Sequence, residues 1–186
     1  MDALRSLALS VTLLALTGCA NPINRVTYDR YADMCSQGVE EGCYRAWVNT
    51  RIGALGPELE SRALSNWGAL LTKQKKYARA EEPLSASLNL EETLETRSDE
   101  RIGRRLAELP IATGQQGKID AGHAYMERLL PLMTIYNGHE RRVVAALCIL
   151  YADELRKRGE IERAKAYEVK VKELGFDAEK IKKGEP

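Results

Sequence analysis

Gln74-Lys75-Lys76-Tyr77-Ala78-Arg79-Ala80-Glu81 returns in altered form as Gln116-Gly117-Lys118-Ile119-Asp120-Ala121-Gly122, and again as Arg158-Gly159-Glu160-Ile161-Glu162-Arg163-Ala164. The three copies lie 42 residues apart without an insertion. The register extends upstream, where Trp67, Leu109 and Tyr151 share one column and Gly68, Pro110 and Ala152 the next. Large apolar and small residues alternate in the same order three times. A period of this length marks stacked supersecondary units, each too small to bury its own apolar face. The repetition therefore predicts a scaffold of helical hairpins.

Composition agrees with that reading. The 186 residues suffice for one domain or three to four hairpins, and 44% hydrophobic content can supply a core. Ala, Leu, Glu, Lys and Arg abound, Phe occurs once, and no β-branched run resembles a strand. The fold class expected is all-α. Lys and Arg number 28 against 27 Asp and Glu, so the chain lacks the positive field of a nucleic-acid binder.

Apolar spacing places a helix from Pro57 to about Gln74, with Leu59, Ala63, Leu64, Trp67, Leu70 and Leu71 on its buried stripe. Its partner runs from Tyr77 to about Leu94, with a bend expected at Pro83. Ser98, followed by Asp99 and Glu100, reads as the N-cap of the next helix, which carries a kink at Pro110. A returning helix is expected from about Lys118 to Tyr136, with Asn137-Gly138 as its C-terminal stop. The third hairpin takes His139–Arg158 and Glu160–Leu174, and residues 177–186 form a charged tail or capping turn.

The three quoted turns resemble those of tetratricopeptide repeats, and the 42-residue spacing resembles the long-helix variety of kinesin light chains. The resemblance covers roughly residues 60–175 and implies three repeats over 57–176, antiparallel hairpins stacked as a short right-handed α-solenoid. Lys75 in place of the turn Gly, Pro110 in the small slot and Thr113 in an apolar slot depart from the pattern and predict irregular packing in the middle repeat. In that family the first helix of each hairpin lines a concave groove for an extended peptide or a helix. Carried over by position, the groove would present Arg62, Asn66, Ala69 and Lys73, then Arg104, Glu108 and Ile111, then Ile149, Asp153, Arg156 and Lys157. Arg101 and Arg105 flank Arg104, and convergent arginines suit bidentate capture of a carboxylate. Solvated mixed-charge surface is the simpler account of the same cluster.

The N-terminus reads as an address. Leu7–Leu16 is a run of about ten residues, short of the roughly 20 that span a bilayer, and it follows Arg5 as a secretory signal would. Leu16-Thr17-Gly18-Cys19 looks like a bacterial lipobox. That resemblance implies a signal peptide over 1–18 and a mature N-terminal Cys19 bearing diacylglycerol and an N-acyl chain, a stable membrane anchor. Ala20 rather than Asp after the cysteine points to the outer membrane in enteric bacteria. Residues 19–27 are expected to be a tether, with folding resuming near Thr27.

Cys35 and Cys43 flank a Gly38–Gly42 loop between two expected helices over 28–56. By residue type alone they suit a disulfide, buried thiols or, weakly, metal ligands, since neither His123 nor His139 stands near them in sequence. The segment is similar to Sel1-like repeats of cysteine-rich secreted proteins, and that similarity implies a Cys35–Cys43 staple between the helices.

Cys148 sits in the apolar run Val143–Tyr151 and reads as a core residue. His139-Glu140 opens like a zinc-protease motif, but Val143 stands where the second His belongs. His123 reads as a surface or groove residue, and Glu91-Glu92 as a solvated helical face. Neither a catalytic constellation nor a metal or cofactor site is expected. The expectation is an outer-membrane-anchored, periplasm-facing adaptor that binds a protein or peptide of the envelope machinery, such as pilus or secretin assembly, barrel assembly or cell-wall synthase control. A muropeptide- or β-lactam-binding protein, or a hydrolase of Sel1-like cysteine-rich type, is the alternative.

Overall fold

The computed structural model describes residues 22–184. The expected signal peptide over residues 1–18 and the expected lipidation site Cys19 lie outside the described residues. Nine α-helices and one 3₁₀ segment are found among those described: α1 (Pro22–Ser36), α2 (Glu40–Ile52), α3 (Pro57–Lys73), α4 (Tyr77–Thr93), α5 (Asp99–Gly114), α6 (Ile119–Leu129), the 3₁₀ segment Leu130–Ile135, α7 (Gly138–Lys157), α8 (Ile161–Glu173) and α9 (Ala178–Lys182). They pack as four antiparallel hairpins, α1/α2 to α7/α8, in an all-α solenoid. Each odd-numbered helix also touches the next odd-numbered one, so α1, α3, α5 and α7 form one continuous layer.

The 42-residue register has a backbone cause. At each of these three hairpin tips a residue two or three positions past the first helix adopts a left-handed conformation: Lys75 at φ 59°, Gly117 at 74° and Gly159 at 77°. That conformation turns the chain and lets the next N–H satisfy the last helical carbonyls. Lys76, Lys118 and Glu160 donate to Leu71, Thr113 and Leu155. Glycine adopts it freely and Lys75 does not.

The small-residue column has a packing cause. A Cβ on Gly122 would overlap the Tyr151 hydroxyl, and one on Gly68 would overlap Leu84. Tyr151 reaches past Gly122 to donate to the Pro110 carbonyl at 2.8 Å. The main core runs through all three repeats, from Leu71, Ala80, Leu84 and Leu88 to Tyr151, Leu155, Ala164, Tyr167 and Val171. A second, small core of Tyr28, Ala46 and Ala63 sits under the first hairpin. Trp47 stacks on Trp67 at 5.6 Å and joins the two.

Several expectations are corrected. Residues 22–27 of the expected tether are helical, as part of α1, and residues 19–21 are not among the described residues. Pro83 and Pro110 stand inside helices that run on through them, so neither proline breaks its helix, as the sequence predicts. The middle repeat departs from α-helix after Leu129, where the missing N–H of Pro131 converts the chain to 3₁₀ geometry. Helix α6 thus stops short of Tyr136. Asn137 is no C-terminal stop: it caps α7, its side chain accepting from Glu140 N while the Glu140 carboxylate accepts from Asn137 N. Ser98 caps α5 as expected. The charged tail is a short docked helix, with Phe176, Ala178 and Ile181 packed against the core.

Candidate binding groove

Because α1, α3, α5 and α7 share one layer, positions in the same register fall into columns across it: Arg62 and Arg104, Asn66 and Glu108, Ala69 and Ile111. The structure divides the predicted groove residues into those with internal partners and those without.

Arg101 and Arg105 do grip a carboxylate, but it belongs to Glu91 of α4. Glu91 is 1% exposed. It accepts from Arg101 Nε at 2.5 Å and from Ser61 Oγ at 3.3 Å, with Arg105 at 3.9 Å. Arg105 also donates to Ser65 at 3.0 Å. Glu91 is therefore no solvated face: it continues the Leu84–Leu88 stripe into the core, where isolated it would be strongly unfavourable. This buried cluster is structural, and it removes two arginines from the groove. Arg104 lies between Glu100 at 2.7 Å and Glu140 at 3.5 Å.

At the C-terminal end, Ile149 is buried in the core. Asp153 and Arg156 pair with each other at 3.3 Å, Arg156 also pairs with Glu168, and Asp153 meets Lys182 of α9 at 3.4 Å. They line a cavity of about 550 Å³ with Phe176 and Ala178. Helix α9 thus covers what would have been the groove surface of this repeat. Lys157 pairs with Glu154 at 2.5 Å.

Four predicted residues keep their polar groups for a ligand. Asn66 and Lys73, with Ala69, line a notch of about 360 Å³ against Cys35, Gln37 and Gly38. Arg62 lines a separate cleft of about 630 Å³ with Glu58, Leu59 and Thr93–Thr96. Among the described residues none of these three side chains meets a hydrogen-bond or ion-pair partner, nor does that of Glu108. Glu108 is half-buried, and desolvation raises its pKa above the usual carboxylate value with no neighbouring charge to offset it.

The Cys35–Cys43 disulfide forms one wall of the Asn66 notch, and both sulfurs are buried in the first hairpin. In the chain-entropy relation a loop this short contributes about 2.5 kcal/mol.

Sequence reading missed a ladder along the hairpin tips. Glu40 pairs with Lys76 at 2.6 Å and with Arg79, Glu81 with Lys118 at 2.6 Å, and Asp120 with Arg158 and Arg163 at 3.2 Å each. Each carboxylate sits at the start of a second helix and reaches the turn or second helix of the next hairpin. These hydrogen bonds hold all three below their usual pKa. The signal was present as an acid 36–43 residues before a base, a spacing that acquires meaning only once the hairpins are stacked.

The remaining chemistry-bearing residues are interior. Cys148 is fully buried, and burial pushes its thiol up to about 12, so it stays protonated at neutral pH. His123 is half-buried, with Nδ1 2.7 Å from the Tyr167 hydroxyl and Nε2 3.3 Å from Glu127. It joins α6 to α8 rather than lining the groove. Among the described residues no His, Cys, Asp or Glu group is placed to hold a metal, and no helix is long and apolar enough to cross a membrane.

No protein family matches the chain, and no curated protein matches it. Among solved structures it is similar to BtubC (BKLC) from P. vanneervenii, at 18% identity and a TM-score of 0.49. That alignment covers 79% of this chain and 56% of BtubC, so this chain spans just over half the length of BtubC.

Proposed function

We propose that this chain is a lipid-anchored envelope adaptor that binds a segment of another protein along the α1–α3–α5 face. The observation that carries the reading is Glu108. A carboxylate half-buried without a counter-charge lowers the stability of the free protein. Elsewhere the chain neutralises its half-buried and buried acids, as at Glu91, Glu81 and Glu40. Groups held in unfavourable isolation mark functional surfaces more often than packed ones do. Asn66, Lys73 and Arg62 supply further donors on the same layer. A segment carrying a Lys or Arg for Glu108 and backbone carbonyls for Asn66 satisfies them together. Attachment of Cys19 to the outer membrane, on its periplasmic side, rests on the lipobox alone.

Photo-crosslinking in cells tests it. A crosslinking residue at Asn66 or Lys73 captures one envelope protein, and Glu108→Arg abolishes the capture. A crosslinker at Ala121, exposed on α6, does not capture it. Equal capture from Ala121, or capture indifferent to Glu108→Arg, removes the inner layer as the binding surface.

A further inference from the structure

Nine large apolar side chains stand out as exposed among the described residues, and three exceed the rest: Ile52 at 79%, Ile23 at 71% and Val26 at 69%, against 52% for the next, Ile135 and Val169. Scattered exposed aliphatics are ordinary, but a cluster at this exposure marks a contact surface. These three belong to one end of the first hairpin. Ile23 and Val26 stand one turn apart at the start of α1, and Ile52 closes α2. The two ends are adjacent, since a Cβ on Gly53 would lie 2.9 Å from the Asn24 Cβ.

The same end receives the chain from Cys19. Helix α1 begins at Pro22, so only three peptide steps separate the two residues. At 3.8 Å per step the link spans at most about 11 Å. Acyl chains on Cys19 would lie in the hydrocarbon with its backbone among the headgroups, a zone roughly 5–7 Å deep on each side of a bilayer. The first turn of α1 then starts in the headgroup zone or within about 5 Å above it. Arg30 is exposed on the same hairpin, while Arg51 pairs with Glu60 at 3.8 Å and Arg25 with Asp29 at 3.1 Å, which leaves Arg30 as the cationic group near the apolar cluster for anionic headgroups.

We propose that Ile23, Val26 and Ile52 seat the first hairpin directly in the headgroup region of a phospholipid membrane, so that the solenoid stands on the bilayer instead of hanging from a flexible leash. This rests on Cys19 being acylated. The 15 residues of α1 rise about 22 Å at 1.5 Å each. The seating therefore sets the hairpin tips, and the Asn66 notch beside Gly38, about 20 Å above the surface, with the orientation of the binding layer fixed.

The test uses the full chain, acylated in cells and reconstituted in phosphatidylethanolamine–phosphatidylglycerol vesicles. A fluorophore is attached through Val26→Cys or Ile52→Cys, with Ile161→Cys at a distant hairpin tip as the reference, and nitroxide-labelled lipid is the quencher. Quenching at positions 26 and 52 with none at 161 supports the seating. The triple variant Ile23→Asn/Val26→Asn/Ile52→Asn, which alters only exposed side chains, then loses quenching of a fluorophore at Arg30→Cys while its helical content is unchanged. Protein that floats with the vesicles and carries acylated Cys19, but shows equal and low quenching at 26, 52 and 161, overturns the seating and leaves the anchor standing. A mature chain without acyl groups that fails to float overturns both.

Discussion

Replacing Lys75 by Gly should stabilise this protein. Lys75 is exposed, takes φ 59°, and holds its hairpin tip through backbone bonds that any residue could make, with its N–H on Thr72 O and the following N–H on Leu71 O. Its side chain forms no ion pair among the described residues, so its removal forfeits little. A non-glycine residue in this region carries about 1–2 kcal/mol of strain. Glycine relieves it but gains freedom in the unfolded chain, which returns about 0.4–1 kcal/mol. The net expectation is about 0.5–1 kcal/mol of added stability, or a rise in Tm of about 2–4 °C per kcal/mol for a chain of this size. Urea unfolding followed by circular dichroism measures it, with an unchanged slope required so that the midpoint reports stability. Lys75→Ala is the essential control, because it removes the side chain and keeps the Cβ. A Lys75→Ala variant as stable as Lys75→Gly would refute the backbone explanation. The reciprocal changes Gly117→Ala and Gly159→Ala, where a Cβ meets nothing within 4 Å, should each cost about 0.5–1 kcal/mol, the strain less the entropy removed from the unfolded chain.

Glu108→Gln should stabilise by about 1 kcal/mol at pH 7. Its folded pKa is raised, so the unfavourable ionised state is relieved as pH falls, and the gain over wild type should vanish below the unfolded pKa; a pH-independent gain would contradict this. Gly122→Ala drives the Tyr151 hydroxyl off the Pro110 carbonyl and should cost about 3 kcal/mol, with much less than additive cost when combined with Tyr151→Phe. Reducing Cys35–Cys43 should lower stability by about 2.5 kcal/mol, and amide exchange should rise in α1 and α2 while α5–α8 keep their protection, because the first hairpin has its own small core. The folded pKa values of Glu40, Glu81 and Asp120 lie below their unfolded ones. Their contribution is therefore present at neutral pH and lost as pH drops through the depressed values, and Glu40→Gln with Glu81→Gln should flatten the acid limb of the pH–stability curve.

The parts of this fold legible in sequence are those that depend on one position at a time. A left-handed tip demands Gly, and a close helix crossing demands Gly or Ala, so Gly117, Gly159, Ala80, Gly122 and Ala164 announce the register locally. Ser98 announces a cap the same way. Asn137 was ambiguous, since Asn serves both helix ends, and Glu140 three residues later was the available tie-breaker. The candidate site was less legible because a side chain's availability depends on partners that sequence does not rank. Arg101 and Arg104 look equivalent on α5, yet Arg101 closes on Glu91, ten residues earlier on the preceding helix. Asp153 and Arg156 held groove positions until α9 folded over them.

That distinction also decides which charges matter. Of the seven predicted groove residues with ionisable side chains, Arg104, Asp153, Arg156 and Lys157 have internal partners of opposite charge, and among the described residues Arg62, Lys73 and Glu108 do not. Exposed Arg62 and Lys73 keep their hydration at little cost, so their freedom says little about selection. Glu108 is desolvated, and its isolation lowers the stability of the free protein. Only a residue of that kind gains more from a ligand than water already gives it. A partner's cation placed on Glu108 regains what burial removed, whereas one placed on an exposed acid merely exchanges water for protein.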